Sequence, residues 1–370
     1  MLGVAIVTSA VGCFLTIFLF FRYAFFMPWS PSIKTIALFI ALGIGFSPIL
    51  LHHSMENILG RFYTIHYHTI YFIFITTVFL WVLTVIRDIV WLVAHWIIPH
   101  VPSLMSSITG KVNAVTIAIA FICALFALYE GMKVPPVKKI TISSPQITSE
   151  KKIVLMPDIH INRTISENKL NTLITQANAQ NPDLILLIGD IVDDIPYRIK
   201  LIIKNLQKLQ AKSGVYAVTG NHEAYIGYKQ STELLEENHI PVLTNTGIAI
   251  SNDLFLGGIP DTRSIRFTGV SYDLDKTFSA ANSKQYKILM SHTPTHFDSA
   301  NFDLEVSGHT HGGQLVPFYP LIYFFHRYVA GLYSMIPNTL IYVSRGAGQW
   351  GPQMRLFAPS EMTVIILKPE

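Results

Sequence analysis

The sequence predicts a two-part chain: a region of apolar helices suited to a lipid bilayer, followed by an α/β layered domain with a second sheet. Three observations carry this expectation. Hydrophobic residues make up 51% of the 370 and charged residues 14%, against roughly 25% charged in an ordinary soluble protein. The charges are unevenly spread, since residues 1–136 hold 6 Lys+Arg and 3 Asp+Glu, leaving 41 of the 50 for the remainder. From Ile140 onward, short β-branched runs alternate with amphipathic segments, which is the pattern of an α/β domain.

A helix needs about 20 apolar residues to cross a bilayer, and four stretches qualify: Leu2–Phe21, Ile33–Leu51, Thr69–Val90 and Val112–Met132. The first has a rival reading as a cleaved signal peptide, but it lacks a basic leading segment and a small-residue cleavage site before Arg22. The third continues past Arg87 and Asp88 to Ile98. It is expected to cross and then lie in the interface, where Trp91, His95 and Trp96 are comfortable, with Arg87 and Asp88 snorkelling in preference to forming a buried polar path. His52, His53, His66 and His68 fall near span ends and suit headgroup contact. Basic residues divide four against four, Arg61, Lys133, Lys138 and Lys139 against Arg22, Lys34, Arg87 and Lys111. The cluster directly after the last span tips the following domain toward the cytoplasmic side. Cys13 and Cys123 sit in apolar runs and read as small hydrophobes, and the net charge of +4 without basic stripes gives no nucleic-acid footprint.

Lys133–Lys139, KVPPVKK, closes the helical region 1–136, because two prolines stop a helix and favour an extended connector. Residues 137–150 then form a linker with a first strand, and 151–370 form the soluble domain. Strands are expected at Lys152–Met156, Asp183–Ile188 and Val215–Val218, with helices at Glu167–Gln180, Tyr197–Lys212 and Thr232–Asn238 between and after them. Beyond Pro241 helical periodicity fades. Strands at Leu254–Gly258, Ile288–Met290, Leu304–Ser307, Leu340–Ser344 and Met362–Leu367 then suggest a second sheet.

Five hydrophobic runs end in the same chemistry. Asp158-Ile159-His160 follows the first, Gly189-Asp190 with Asp193 the second, and Gly220-Asn221-His222-Glu223 the third. Ser291-His292 and Gly308-His309-Thr310-His311 follow two later ones. A single Asp or His after a strand is usually a turn residue or a helix cap. Five such ends in one chain, at the place where α/β folds bind ligands, point instead to a divalent metal site built from oxygen and imidazole donors. The order D-x-H, G-D, G-N-H-E, H and G-H-x-H resembles the calcineurin-like metallophosphoesterase superfamily over about Ile153–Glu370.

That resemblance implies an αββα sandwich and two divalent ions, manganese, iron or zinc. Asp158, His160, Asp190 and His311 would hold one, and Asp190, Asn221, His292 and His309 the other, with Asp190 bridging. A hydroxide between two metals about 4 Å apart would attack phosphorus. His222 would stabilise the transition state and protonate the leaving oxygen, with Glu223 fixing its orientation. Gly308, Gly312 and Gly313 would let His309 and His311 reach neighbouring metals, which adjacent residues on a straight strand could not do. Asp193 is open between ligand orientation and a solvated turn, while Asp194, His239, His296 and His326 read as surface or structural residues.

GHTHGGQ at Gly308–Gln314, GLY at Gly331–Tyr333, YVSRGAG at Tyr342–Gly348 and P-x-x-R-L at Pro352–Leu356 are similar to a narrower, membrane-associated group. It includes bacterial phosphodiesterases and UDP-diacylglucosamine hydrolases, and implies a bacterial cytoplasmic membrane. Arg345 and Arg355 are candidates for holding phosphate through forked hydrogen bonds. Leu315–Val329 is crowded with aromatics yet broken by Pro317 and Pro320, so this loop is expected to dip into the bilayer beside the metals, with Phe318 and Phe325 as substrate-binding residues. The expected partners are therefore the bilayer and a lipid-linked phosphate ester. The rival is a membrane sensor or scaffold that binds phospholipid or nucleotide without turnover.

Overall fold

The computed structural model describes residues 2–48, 62–97, 101–295, 297, 301–335 and 339–370. His52, His53 and His296 fall outside them. The chain divides into two compact units, Met1–Glu130 with Gly351–Leu356, and Gly131–Trp350 with Phe357–Glu370. The boundary thus lies six residues before the expected one, and a short C-terminal segment returns to the helical unit.

The helical unit contains α1 (Leu2–Phe20), which runs into a π-helical turn at Phe21–Phe25, then α2 (Pro31–Phe46), α3 (Tyr63–Ile97) and α4 (Val101–Met132). The Ser30 hydroxyl caps α2 by accepting from the Ile33 N–H at 3.4 Å, and Pro31 takes the first helical position. Among the described residues three helices are long and apolar enough to cross a membrane, within Ile6–Phe25, Tyr63–Ile97 and Ile108–Met132; α2 is a shorter apolar helix of 16 residues. The expected span Ile33–Leu51 therefore ends early, and residues 49–51 lie outside the described ones. No break follows Arg87. The helix α3 continues for 35 residues, about 50 Å at 1.5 Å per residue. Nor does Arg87 snorkel: its side chain is 9% accessible. It donates to Asp88 Oδ1 at 2.8 Å, Asn113 Oδ1 at 2.5 Å and Tyr23 Oη at 3.2 Å, and Arg22 reaches the same Asp88 oxygen at 2.8 Å. A charge that pairs inward on three helices avoids the desolvation that would otherwise drive it to an interface.

In the second unit, β1 (Val137–Ser143), β2 (Lys151–Leu155), β3 (Leu184–Ile188), β4 (Val215–Val218) and β11 (Met362–Lys368) form one sheet in the order β1-β11-β2-β3-β4. The other contains β5 (Thr246–Ala249), β6 (Leu254–Gly258), β7 (Tyr286–Met290), β8 (Leu304–Ser307), β9 (Gly331–Met335) and β10 (Thr339–Val343), in the order β5-β6-β7-β8-β10-β9. Strands β2, β3 and β4 are mutually parallel, as are β6, β7, β8 and β10. All site-bearing strand ends of a sheet therefore fall on one edge.

Alternation along the strands builds the core. In β3, Leu184, Leu186 and Ile188 join a cluster with Leu254, Leu256, Ile288 and Met290 of the other sheet, while Ile185 and Leu187 face a cluster with Leu170, Ile199 and Leu234. Those come from α5 (Glu167–Asn178), α6 (Pro196–Ile203) and α7 (Asn221–Glu237). The helix α5 shows why: Ser166 caps it by accepting from the Lys169 N–H at 3.1 Å, and Leu170, Leu173, Ile174 and Ala177 form one buried stripe. Among the described residues only short helices follow, α8 (Ile265–Thr268), α9 (Leu274–Phe278) and α10 (Tyr319–Phe325). No expected strand corresponds to β5 or β9. The third expected helix begins eleven residues late, because Gly227 at φ +139° breaks the periodicity inside α7.

Candidate metal centre

The site is assembled where β2, β3, β4, β7 and β8 end. Backbone hydrogen bonds join the first two ends, from Asp158 N–H to Gly189 O at 3.1 Å and from His160 N–H to Asp190 O at 2.9 Å. Asn221 and His222 open α7, and the His222 N–H donates to Asp190 Oδ1 at 2.8 Å. His309 N–H donates to both Asp158 oxygens at 3.0 and 3.1 Å. The backbone bends sharply at the donors themselves: φ is +57° at Asp158, +52° at His160, +50° at Asp190, +67° at His309 and +49° at His311. Each such residue costs about 1–3 kcal/mol, and strain of this kind persists where a site requires it. His309 and His311 thus reach different donor groups through their own left-handed turns as well as through their glycines.

Three groups of donors result. Asp158, His160 and His311 form one and Asp190, His292 and His309 another, while among the described residues His160, Asp193 and His222 make a third beside them, each with ligand atoms within 4.8 Å of one another. His160 Nε2 lies 3.1 Å from His311 Nε2, and His311 Nε2 lies 3.5 Å from Asp158 Oδ1. His292 Nε2 lies 3.3 Å from Asp190 Oδ2, 3.3 Å from Asn221 Oδ1 and 3.2 Å from His309 Nδ1. Asp190 Oδ2 is also 3.8 Å from His160 Nε2, so it stands between the groups. The seven residues expected from the sequence to bind metal are brought together.

The donor set fits cations. His292 Nδ1 donates to the Ile188 carbonyl at 2.9 Å, which leaves the Nε2 lone pair aimed at a carboxylate and an amide oxygen. Such an array is repulsive unless positive charge sits within it. The titration behaviour says the same. Burial opposes a charge on His292, but Asp190 pulls its pKa well above the usual imidazole value. Burial would raise Asp190, yet His292 and His222 hold it well below the carboxylate range. Burial pushes Asp158 up to about 6 against the pull of His292. Asp190 is the charge that the site is built to keep.

His222 has a different partner from the one expected. Its Nδ1 hydrogen-bonds Asp193 Oδ1, and its Nε2 lies 3.9 Å from Asp190 Oδ2. Burial disfavours its charge, but Asp193 and then Asp190 outweigh this and push its pKa up to about 10. Asp193 also lies 3.2 Å from His160 Nδ1. Glu223, expected to orient His222, turns away from the ring. Its carboxylate accepts from the N–H groups of Asp190 at 3.0 Å and of Ile191, Val192 and Gly220 at 2.7 Å each. Its position one turn into α7 aims it back at the helix start, so it holds the Asp190 turn in place. Asp193, for which the sequence leaves ligand orientation and a solvated turn open, lies against both His222 and His160.

The expected phosphate contacts separate. The Arg345 side chain runs beside Gly312, where an added Cβ would come within 2.8 Å of its Cγ, and so lies next to His311. Arg355 is fully buried and belongs to the helical unit, where its N–H donates to the Ala127 carbonyl at 2.8 Å. Phe318 is half-buried, and Phe325 is 58% exposed at the end of α10.

Residues 151–313 match the calcineurin-like phosphoesterase family. The chain is 35% identical over 259 residues to an uncharacterised metallophosphoesterase of Campylobacter jejuni, covering 67% of this chain and 68% of that protein. It belongs to the metallophosphoesterase family. A second relative, an uncharacterised metallophosphoesterase of Aquifex aeolicus, is 30% identical over 256 residues, which is 67% of this chain and 98% of that one. A transmembrane protein with a metallophosphoesterase domain from Danio rerio is 29% identical over 273 residues, 69% of this chain and 62% of its own length. The family's fold is the α/β sandwich of the second unit, and its metal dependence matches the clustered donors of this metallophosphoesterase.

Proposed function

We propose that this metallophosphoesterase hydrolyses a phosphodiester or pyrophosphate bond of a lipid-linked substrate at a membrane surface, using two divalent cations. The observation that carries the reading is the convergence of Asp158, His160, Asp190, Asn221, His292, His309 and His311 on one strand edge, with a charged His222 beside them. When bound, the cations would supply an activated water and neutralise charge on the phosphoryl oxygens. Asp190 would face both, and the other six donors would divide between them. His222, kept protonated by Asp193, would hold a proton at Nε2 on the cluster side, where it meets the leaving oxygen. Glu223 would keep the Asp190 turn rigid.

The lipid-linked part of the reading is supported by α10. In this helix Leu321, Tyr323, Phe324 and Phe325 are 55%, 61%, 82% and 58% exposed, and Arg327 follows them; exposed aromatics with a cation suit a bilayer interface. Four spans, with α2 as the shortest, and a cytoplasmic catalytic unit complete the proposal, as does a four-layer αββα arrangement of the sandwich. The experiment is hydrolysis of bis-p-nitrophenyl phosphate and p-nitrophenyl phosphate by detergent-purified protein with manganese, zinc or no added metal, then of phospholipid phosphodiesters in mixed micelles. Metal-dependent turnover of the diester supports the reading. Stoichiometric metal binding without turnover of any ester would replace it with a binding role.

A further inference from the structure

A single segment, Asp261–Gly269, frames the cluster from two sides. Its start is pinned to the loop that carries His292. Asp261 is buried and accepts from the Thr293 hydroxyl at 2.6 Å and from Ser264 at 2.5 Å, and the Thr262 and Thr295 hydroxyls meet at 3.1 Å. These anchors fix where Arg263 begins. Its side chain is exposed, yet two acceptors at the end of α10 hold it: Nη2 donates to the Phe325 carbonyl at 3.2 Å and Nη1 to His326 Nε2 at 3.4 Å.

A guanidinium can only donate, so His326 Nε2 accepts and the ring carries its proton on Nδ1. That nitrogen is buried and has no hydrogen-bond partner among the described residues. The imidazole is 7% exposed, and among the described residues its hydrogen bond is with Arg263. Its other face meets the ring of His309, with centroids 5.2 Å apart. A buried imidazole that leaves one donor unsatisfied is costly, and what it gains here is a guanidinium held beside the His309 donor group. At the other end of the segment, the Phe267 ring lies 5.1 Å from that of Tyr225, which lies 5.8 Å from His222. The segment therefore touches the surroundings of both the second donor group and the proton donor.

We propose that Arg263, positioned by His326, binds a second, non-reacting phosphate of the substrate and so favours diphosphate-containing substrates over those with one phosphoryl group. The inference rests on the hydrolase reading above. The reacting phosphoryl group is provided for by the cations and His222. Arg263 uses two of its five N–H donors on anchors, which leaves a forked set for an oxygen one phosphate further out.

The test compares kcat/KM for a diphosphate diester, ADP-ribose, with that for bis-p-nitrophenyl phosphate, in full-length protein with manganese. Arg263→Gln is expected to lower the ratio of the two about tenfold, chiefly through KM for ADP-ribose, and Arg263→Lys to recover part of it. His326→Phe, which keeps the packing on His309 and removes the acceptor, is expected to move the ratio the same way by a smaller factor. An equal loss on both substrates would make Arg263 merely structural and overturn the proposal. A wild-type protein that cleaves bis-p-nitrophenyl phosphate but not ADP-ribose would overturn it while leaving the hydrolase reading intact. Failure on both substrates would remove the hydrolase reading and this inference with it.

Discussion

Substituting Asp193 with Asn removes one charge and little else, which isolates what holds a proton on His222. The ring's pKa stands at about 10 against a usual 6.5, despite burial that acts in the opposite direction. The difference of three to four units corresponds to about 5 kcal/mol favouring the charged form. Asp193 is the largest attractive contributor, ahead of Asp190 and Glu223. If it supplies half, its neutralisation returns the ring by about two units. The active form of a general acid is protonated, so activity falls as pH rises through its pKa. The alkaline limb of the kcat profile for bis-p-nitrophenyl phosphate is therefore expected to move down by about two units in Asp193→Asn, with the loss in kcat approaching about hundredfold only at pH values above both limbs. In Asp193→Ala the hydrogen bond that also raises the ring's pKa is lost with the charge, so the limb is expected to move down further. An Asp193→Asn enzyme whose alkaline limb stays where the wild type has it would refute this role for Asp193.

Glu223→Gln replaces a carboxylate that accepts four backbone N–H groups with an amide that has a single acceptor oxygen. A loss of about 3 kcal/mol in unfolding free energy, with weakened metal binding by calorimetry, is expected. Glu305, buried in β8, has its pKa pushed up to about 8 by burial. A carboxyl raised in the fold stabilises it below the unfolded value and loses that contribution as pH rises from about 4.5 to about 8. Melting temperatures across that window are expected to fall less steeply in Glu305→Gln. Gly308→Ala would place a Cβ 2.7 Å from Pro157 Cβ and against the Asp158 carboxylate; metal affinity is expected to drop about tenfold or more, read by elemental analysis after dialysis.

The clustered donors were legible because each follows a hydrophobic run that can only be a strand, and a parallel sheet sends all such ends to one edge. Asp193 and Glu223 were harder. Both lie in recognisable motifs, but their roles depend on which way a turn points: Glu223 folds back on its own helix start, while Asp193 crosses to His222. Arg263 and His326 belong to no motif, and they meet through the packing of α10 against the Asp261 segment. In the helical unit, composition located the apolar stretches. It could not place Arg87, whose partners Tyr23 and Asn113 are 64 and 26 residues away in the chain. A short motif likewise says nothing about which unit buries Arg355.

Two-metal hydrolysis is decided by counting metal ions per chain in the purified protein and measuring bis-p-nitrophenyl phosphate turnover on the same sample, beside Asp190→Ala. Two divalent ions per wild-type chain, with turnover lost on chelation, restored by manganese and absent in Asp190→Ala, is the expected result. Turnover that survives both chelation and Asp190→Ala would contradict it.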